Sequence, residues 1–190
     1  MKVCRNCKAK FEPQRPLQVA CSPICALQIG RDKTVCHAAK ATAADRKLTA
    51  QKLDAMQTKP QLVKKAQLAF NGYIRMRDAG KPCICCGKPL ELGGVGGGFD
   101  AGHYRSVGSA PHLRFVEDNC HAQKKYCNNY LAGNHVAYRA GLIQRIGLDR
   151  VEQLERDQTL RKYTKDGLRE IAKHYNLETR KLKAKNDPAK

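Results

Sequence analysis

The chain has 190 residues, enough for one substantial domain with appendages or for two small ones, and its 36 Lys and Arg against 17 Asp and Glu leave a net charge of +19. Such an excess points to a polyanionic partner, nucleic acid first and an anionic membrane surface second. No run of about eighteen apolar residues is present to span a bilayer, and the first residues lack the apolar core of a signal peptide. A soluble protein of the cytoplasm is therefore expected, in which ten Cys stay reduced and close Cys pairs favour metal ligation over disulfides.

In chain order, the first thirty residues carry Cys4-x2-Cys7 and, thirteen residues later, Cys21-x3-Cys25. A segment this short has no hydrophobic core of its own, and four thiolates around a tetrahedral Zn2+ replace it as the source of folding energy. Residues 1–30 are read as a zinc module. From Arg31 the composition turns to Ala, Lys, Gln and Thr, and residues 31–59 read as a basic, solvated helical linker. Between Arg31 and Gly80 there are eleven Lys and Arg against four Asp, a face that can lie along phosphates or simply keep a helix in solution. Pro60 then opens a helix in which Leu62, Val63, Ala66, Ala69, Phe70, Tyr73, Ile74 and Met76 recur at helical spacing until Gly80.

Cys83-x2-Cys86-Gly87 is a second turn of the kind by which two thiolates hold one Zn2+. The Gly93–Gly98 stretch lacks the Lys-Ser/Thr pair of a phosphate-binding loop and reads as a flexible connection. Next, FDAGHY (99–104) and LRFV (113–116) have strand composition, and Asp118 or Asn119 can cap a helix running through about Lys124 to Leu131, stopped by Gly133. A strand-strand-helix unit with a His on its first strand and Asn residues near its helix can hold a general base and a cation on either side of one phosphate. Beyond it, Asn134 caps a helix with an apolar face of Val136, Ala140, Ile143 and Ile146. A short helix follows over 149–156, and a last one from about Thr164 carries Leu168, Ile171, Ala172, Tyr175 and Leu182 before a charged, frayed tail.

From the N-terminal Cys pairs through CICCG, DAGHYRSVGSAPHLRF, DNCHAQ and CNNYLAGN to AYRAGLIQRIG, the chain resembles the NinG (Rap) recombination proteins of lambdoid phages. That resemblance implies cleavage of branched DNA, D-loops and Holliday junctions, by a core similar to the HNH (ββα-metal) nucleases, a group that includes endonuclease VII of T-even phages. It implies an α+β, mostly helical fold. An N-terminal zinc module (1–30) and linker (31–59) would precede a zinc-stabilised HNH-like core (60–135) and C-terminal helices with a basic tail (136–190).

On the same resemblance His103 is the general base, Asn128 holds Mg2+ or Mn2+ and Asn119 orients the base; the family's other ligand position, directly before the base, is Gly102 here, and Asp100, which faces the same way on a strand, is read as the carboxylate ligand. The family pattern leads to a Cys at position 124, where this chain has Lys124 and an extra Cys120. The second zinc set is read as Cys83, Cys86, Cys120 and Cys127, with Cys85 a competing fourth ligand. Cys120 and Cys127 on one straight helix would lie about 10 Å apart, so Cys120 serves only if the helix starts after it. His121 is placed beside the chemistry, and Arg105, Arg114, Lys124 and Lys125 beside the DNA phosphates. Two structural Zn2+ and one catalytic cation are expected, with branched DNA as partner, together with other phage recombination proteins and a homodimer on a junction. The rival reading is a zinc-dependent DNA-binding protein without catalysis; charge and Cys pairs fit both, while His103, Asp100 and Asn128 together favour the enzyme.

Overall fold

A computed structural model describes residues 1–91, 93 and 98–186, which fall into two compact units, 1–57 and 58–190. Most of the Gly-rich connection and the last four residues of the tail lie outside the described residues.

In the first unit, β1 (Lys2–Val3) and β2 (Lys10–Phe11) form a short antiparallel hairpin, and α1 runs from Pro23 to Met56. Ser22 caps α1 by accepting from the Cys25 N–H at 3.2 Å, and Pro23 suits the first turn because its missing N–H needs no partner there. The core is small: Cys4, Ala20 and Cys25 are buried, with Phe11 and Ile29 beside them. Within α1 only Cys25 is buried, which agrees with its solvated composition. Zinc module and linker share this helix, so the boundary read at 30/31 falls inside it.

The second unit begins with Thr58, whose N–H donates to Gln61 Oε1 at 2.8 Å in a capping box that starts α2 (Lys59–Arg77). The apolar stripe of α2 buries Leu62, Ala66, Ala69, Phe70 and Ile74 against Leu168, Ala172 and Tyr175 of α5 (Lys165–Asn186). Burying a side chain such as Phe70 or Leu62 contributes about 1.5–3 kcal/mol. A second core gathers Ile84, Tyr104, Ala110 and Leu113 with Tyr138 and Leu142 of α3 (His135–Ile146) and Val151 and Leu154 of α4 (Leu148–Arg156). An antiparallel hairpin of β3 (Phe99–His103) and β4 (Cys120–Lys124) lies between the cores. Cys120 and Ala101 join the first, while Tyr138 from the second donates to the Gly102 carbonyl at 2.9 Å. The C-terminal helices thus complete the two cores around the hairpin. The fold is α+β and mostly helical, and no helix among the described residues is long and apolar enough to cross a membrane.

Three local expectations are corrected. The partner of β3 is 120–124, in the register Asp100↔Gln123 and His103↔Cys120, while 113–116 begins in a 3-10 turn at Pro111–Leu113 and sends Phe115 into the first core. Residues Cys120 to Gln123 are buried on both faces, so the strand lacks the polar-apolar alternation that announces one. The helix expected over 124–131 is a π-type turn, Tyr126–Tyr130, and neither Asp118 nor Asn119 caps it. On α3 the buried residues are Tyr138 and Leu142, whereas Val136 is 87% exposed. The helix is oriented by the Tyr138 bond to Gly102 and by Gly141, where a Cβ would meet the Ile84 carbonyl at 1.8 Å.

Candidate functional site

Two clusters of four thiols are the most distinct chemical groupings. In the first, Cys4, Cys7, Cys21 and Cys25 hold their sulfurs within 4.8 Å of one another, with Cys7 to Cys21 at 3.5 Å and Cys21 to Cys25 at 3.7 Å. Thiolates bound tetrahedrally at about 2.3 Å stand about 3.8 Å apart, so this spacing fits Zn2+. The turn is made by Lys8 at φ 61°, its N–H on the Cys4 carbonyl at 3.0 Å, and the Cys21 N–H reaches Cys4 Sγ at 3.4 Å. That N–H is the main reason the Cys4 thiol is held down at about 6, toward the thiolate a metal needs.

The second cluster repeats the design with Gly87 at φ 67° in the place of Lys8, Gly87 N–H on the Cys83 carbonyl at 3.0 Å, and the Lys124 N–H on Cys83 Sγ at 3.2 Å. Burial pushes Cys83 up, but the N–H groups of Lys124, Cys86 and Cys85 outweigh it and bring the thiol to about 7. Its members are Cys83, Cys85, Cys86 and Cys127, with Cys83 to Cys85 at 3.5 Å. Cys120 is not among them. It opens β4, facing the α2–α5 core, with its sulfur 3.7 Å from His103 Nδ1 and its thiol raised by burial. Gln123 supports the cluster by donating to Cys85 Sγ at 3.4 Å and to the Gly133 carbonyl at 2.8 Å.

Cys127 sits on the turn Tyr126–Tyr130, and this turn brings Asn128 and Asn129 to β3: their amides donate to Asp100 Oδ2 at 3.0 and 3.4 Å. Directly across the hairpin from Asp100 is Gln123, fully buried, with Oε1 lacking a hydrogen-bond partner among the described residues. It lies over Gly102, where a Cβ would come within 2.1 Å of that oxygen, so a side chain there would force Gln123 to shift.

His103 projects from the other side of β3, with Nε2 2.9 Å from the Arg114 carbonyl. A carbonyl only accepts, which places the proton on Nε2 and the lone pair on Nδ1. Burial, partly opposed by that bond, lowers the imidazole pKa, and the ring lies 6.1 Å from that of Phe70. Asn119, completely buried, accepts from the Arg105 N–H at 2.8 Å and donates to the carbonyls of Arg105 at 3.0 Å and Leu113 at 3.2 Å. It ties together both ends of the loop from which Arg114 reaches His103, so it positions the imidazole through the backbone.

The remaining candidates have structural partners. His121 is buried. Nε2 donates to the Asp118 carbonyl at 3.2 Å and Nδ1 accepts from Arg77 at 3.0 Å, so neither nitrogen is left for the role expected beside the phosphate. Arg105 spends Nη1 on the carbonyls of Leu154, Glu155 and Asp157 at 3.0–3.3 Å, closing the end of α4 instead of facing phosphates. Arg114 donates to Gln67 at 3.1 Å, Lys124 pairs with Glu91 at 3.2 Å, and Lys125 stands half-buried at the start of the turn.

Sequence reasoning missed Asn129, Gln123 and, most of all, Asp78. This fully buried carboxylate accepts from Arg77 (2.9 and 3.0 Å), Lys81 (3.0 Å) and the Ala122 N–H (3.0 Å), with Arg145 3.8 Å away. An acidic residue closing a helix opposes the macrodipole, and between Arg77 and Lys81 that was a readable sign of an ion-pair role.

The family model described as Bacteriophage Lambda NinG protein matches residues 1–185. The chain belongs to the NinG family. It is 35% identical to protein ninG of Salmonella phage P22, over 95% of this chain and 93% of that one, and 34% identical to protein ninG of Escherichia phage lambda, over 95% and 92%. Protein ninG of Enterobacteria phage H19B is 40% identical over 64% of this chain and 56% of its own. No solved structure matches. NinG membership therefore covers both thiol clusters and the β3–β4 hairpin.

Proposed function

We propose that this NinG-family chain is a metal-dependent endonuclease that cuts branched DNA, Holliday junctions and D-loops, in phage recombination inside the bacterial host. One observation carries the reading: a single five-residue strand presents an imidazole of fixed tautomer and a carboxylate gripped by two Asn side chains. A base on the first strand, a buried Asn between the strands and an Asn directly after a zinc-site Cys form an HNH-like set. A net charge of +19 supplies the attraction to phosphates.

The donor set fits a hard cation. Asp100 offers a carboxylate, and a half-turn of either amide exchanges its nitrogen for the oxygen that Mg2+ or Mn2+ prefers. Once bound there, the ion would neutralise charge on the scissile phosphate and the departing 3′ oxygen. In this reading the attacking water takes the place of the Cys120 thiol, whose sulfur lies 3.7 Å from His103 Nδ1, and gives its proton to Nδ1 while Nε2–H stays on the Arg114 carbonyl; in-line attack leaves 5′-phosphate and 3′-hydroxyl ends. Asn119 keeps the Arg114 carbonyl in place, and Zn2+ held through Cys127 would fix the turn that bears Asn128 and Asn129. Symmetric cutting of a junction calls for two copies of the chain.

The test is cleavage of a labelled four-way junction with Mg2+. His103→Ala should lower the rate on the order of 10²-fold or more with binding nearly intact, and Asp100→Ala should alter the dependence on Mg2+ concentration. Tight binding by the wild type without cutting, in Mg2+ or Mn2+, replaces this reading with a DNA-binding protein that does no chemistry.

A further inference from the structure

The chain has seven tyrosines, of which Tyr73, Tyr104, Tyr138, Tyr163 and Tyr175 pack into one of the two cores. Tyr126 and Tyr130 do not. They are 63% and 79% exposed, and their rings stack on each other with centroids 5.8 Å apart and planes 27° from parallel. Neither hydroxyl has a hydrogen-bond partner among the described residues. Core packing and hydrogen bonding, the usual reasons for a tyrosine at a fixed place, are both missing.

The backbone that holds the pair is a π-type turn, a rare geometry in which residues four apart come nearly one above the other, and one that recurs at functional sites. Within its five residues the turn carries three chemistries. Cys127 points into the second thiol cluster, Asn128 and Asn129 grip Asp100, and the two Tyr rings face solvent. Lys124 and Lys125 lead into it. An exposed pair of stacked rings beside a candidate phosphate-cutting centre, on a chain of +19, has the composition of a surface that binds an unpaired base: flat π faces for the base and a net positive charge for its backbone.

We propose that Tyr126 and Tyr130 form a stacking platform for an unpaired nucleobase next to the scissile phosphate, and that this contact distinguishes branched DNA from continuous duplex. In intact duplex each base face is covered by its neighbours; at a branch point one can be splayed out and stack on the rings. The proposal rests on the endonuclease reading only for the position of the scissile phosphate.

The experiment uses the full-length, zinc-loaded protein without added Mg2+, so that nothing is cut, and a four-way junction with 2-aminopurine at the branch point. Wild type should change the probe's emission on binding. Tyr126→Ala/Tyr130→Ala should abolish that change and weaken junction binding roughly 5- to 150-fold, the equivalent of losing one base–aromatic stack, while affinity for linear duplex stays the same. Phe at both positions should restore binding and the signal; Leu should not. Zinc content and thermal midpoint show that each variant is folded, as exposed positions allow.

Equal loss on duplex and junction, Leu performing as well as Phe, or an unaltered double-Ala variant each overturn the platform. Leu equal to Phe would indicate an apolar contact, as for a protein partner. Because binding is read without cleavage, a junction that is stacked but never cut supports the platform and removes the endonuclease, whereas cutting that survives double-Ala substitution with unchanged affinity does the reverse.

Discussion

Asp78 is a carboxylate with no solvent around it, surrounded by Arg77, Lys81, His121 and Arg145. Burial would raise its pKa, but the neighbouring His121, the hydrogen bonds from Arg77 and the Arg77 charge prevail, so the carboxyl titrates well below the usual carboxylate range. The unfolded chain takes up this proton near pH 4 and the folded one does so later. Its stabilisation is therefore full above about pH 4 and fades as the pH drops further. His103 and His121 are lowered by burial, which gives a second acid sensitivity: below about pH 6.5 the unfolded chain gains protons that the folded chain refuses. The urea midpoint should thus begin to fall near pH 6.5 and fall again below 4, and His121→Asn should flatten part of the first slope. Asp78→Ala, which strands Arg77 and the Ala122 N–H, should cost on the order of 3–5 kcal/mol at neutral pH. A midpoint flat from pH 8 to 5 would contradict the buried neutral imidazoles. Only the local part of this network, Arg77 and Lys81 beside Asp78, was readable from the sequence; His121 of β4 and Arg145 of α3 join it only after folding.

The second thiol cluster shows where reading by element succeeds and where it fails. The turn Cys83-x2-Cys86-Gly87 was legible because a short motif contains its own geometry, down to the glycine at positive φ. The fourth ligand was not legible. The choice between Cys85 and Cys120 depends on whether residue 120 starts a helix or a strand, and β4, buried on both faces, hides its periodicity. Cys85→Ser should therefore reduce metal content from two zinc ions per chain to one, or weaken the second ion toward chelators by orders of magnitude. Cys120→Ser should keep two and lose only core packing. Metal analysis of the two variants decides the matter, and the opposite pattern would return Cys120 to the cluster. The α2 stripe and the start of α5 were read correctly for a related reason: long amphipathic repeats average out local ambiguity, whereas the rotation of α3 rests on one tyrosine hydroxyl and one glycine.

For the whole molecule, the plainest quantity is charge. If DNA is the partner, the affinity should fall linearly on a logarithmic salt scale, with a slope of about 0.9 per phosphate neutralised on duplex, measurable by titration between 50 and 200 mM salt. A slope near zero would mean that the +19 serves solubility alone. The same surplus is spread along α1, and there it has a different outcome. A helix of 34 residues is about 51 Å long, and only Cys25 at its beginning is buried. Past the first thiol cluster none of its described side chains is buried, and a helix without buried packing is marginally stable in water. Lys33, Lys40, Arg46, Lys47 and Lys52 are all exposed along it. Brief exposure to trypsin should cut there first, releasing a resistant fragment that begins near Thr58. Amide exchange should be faster between Arg31 and Asp54 than anywhere on α2.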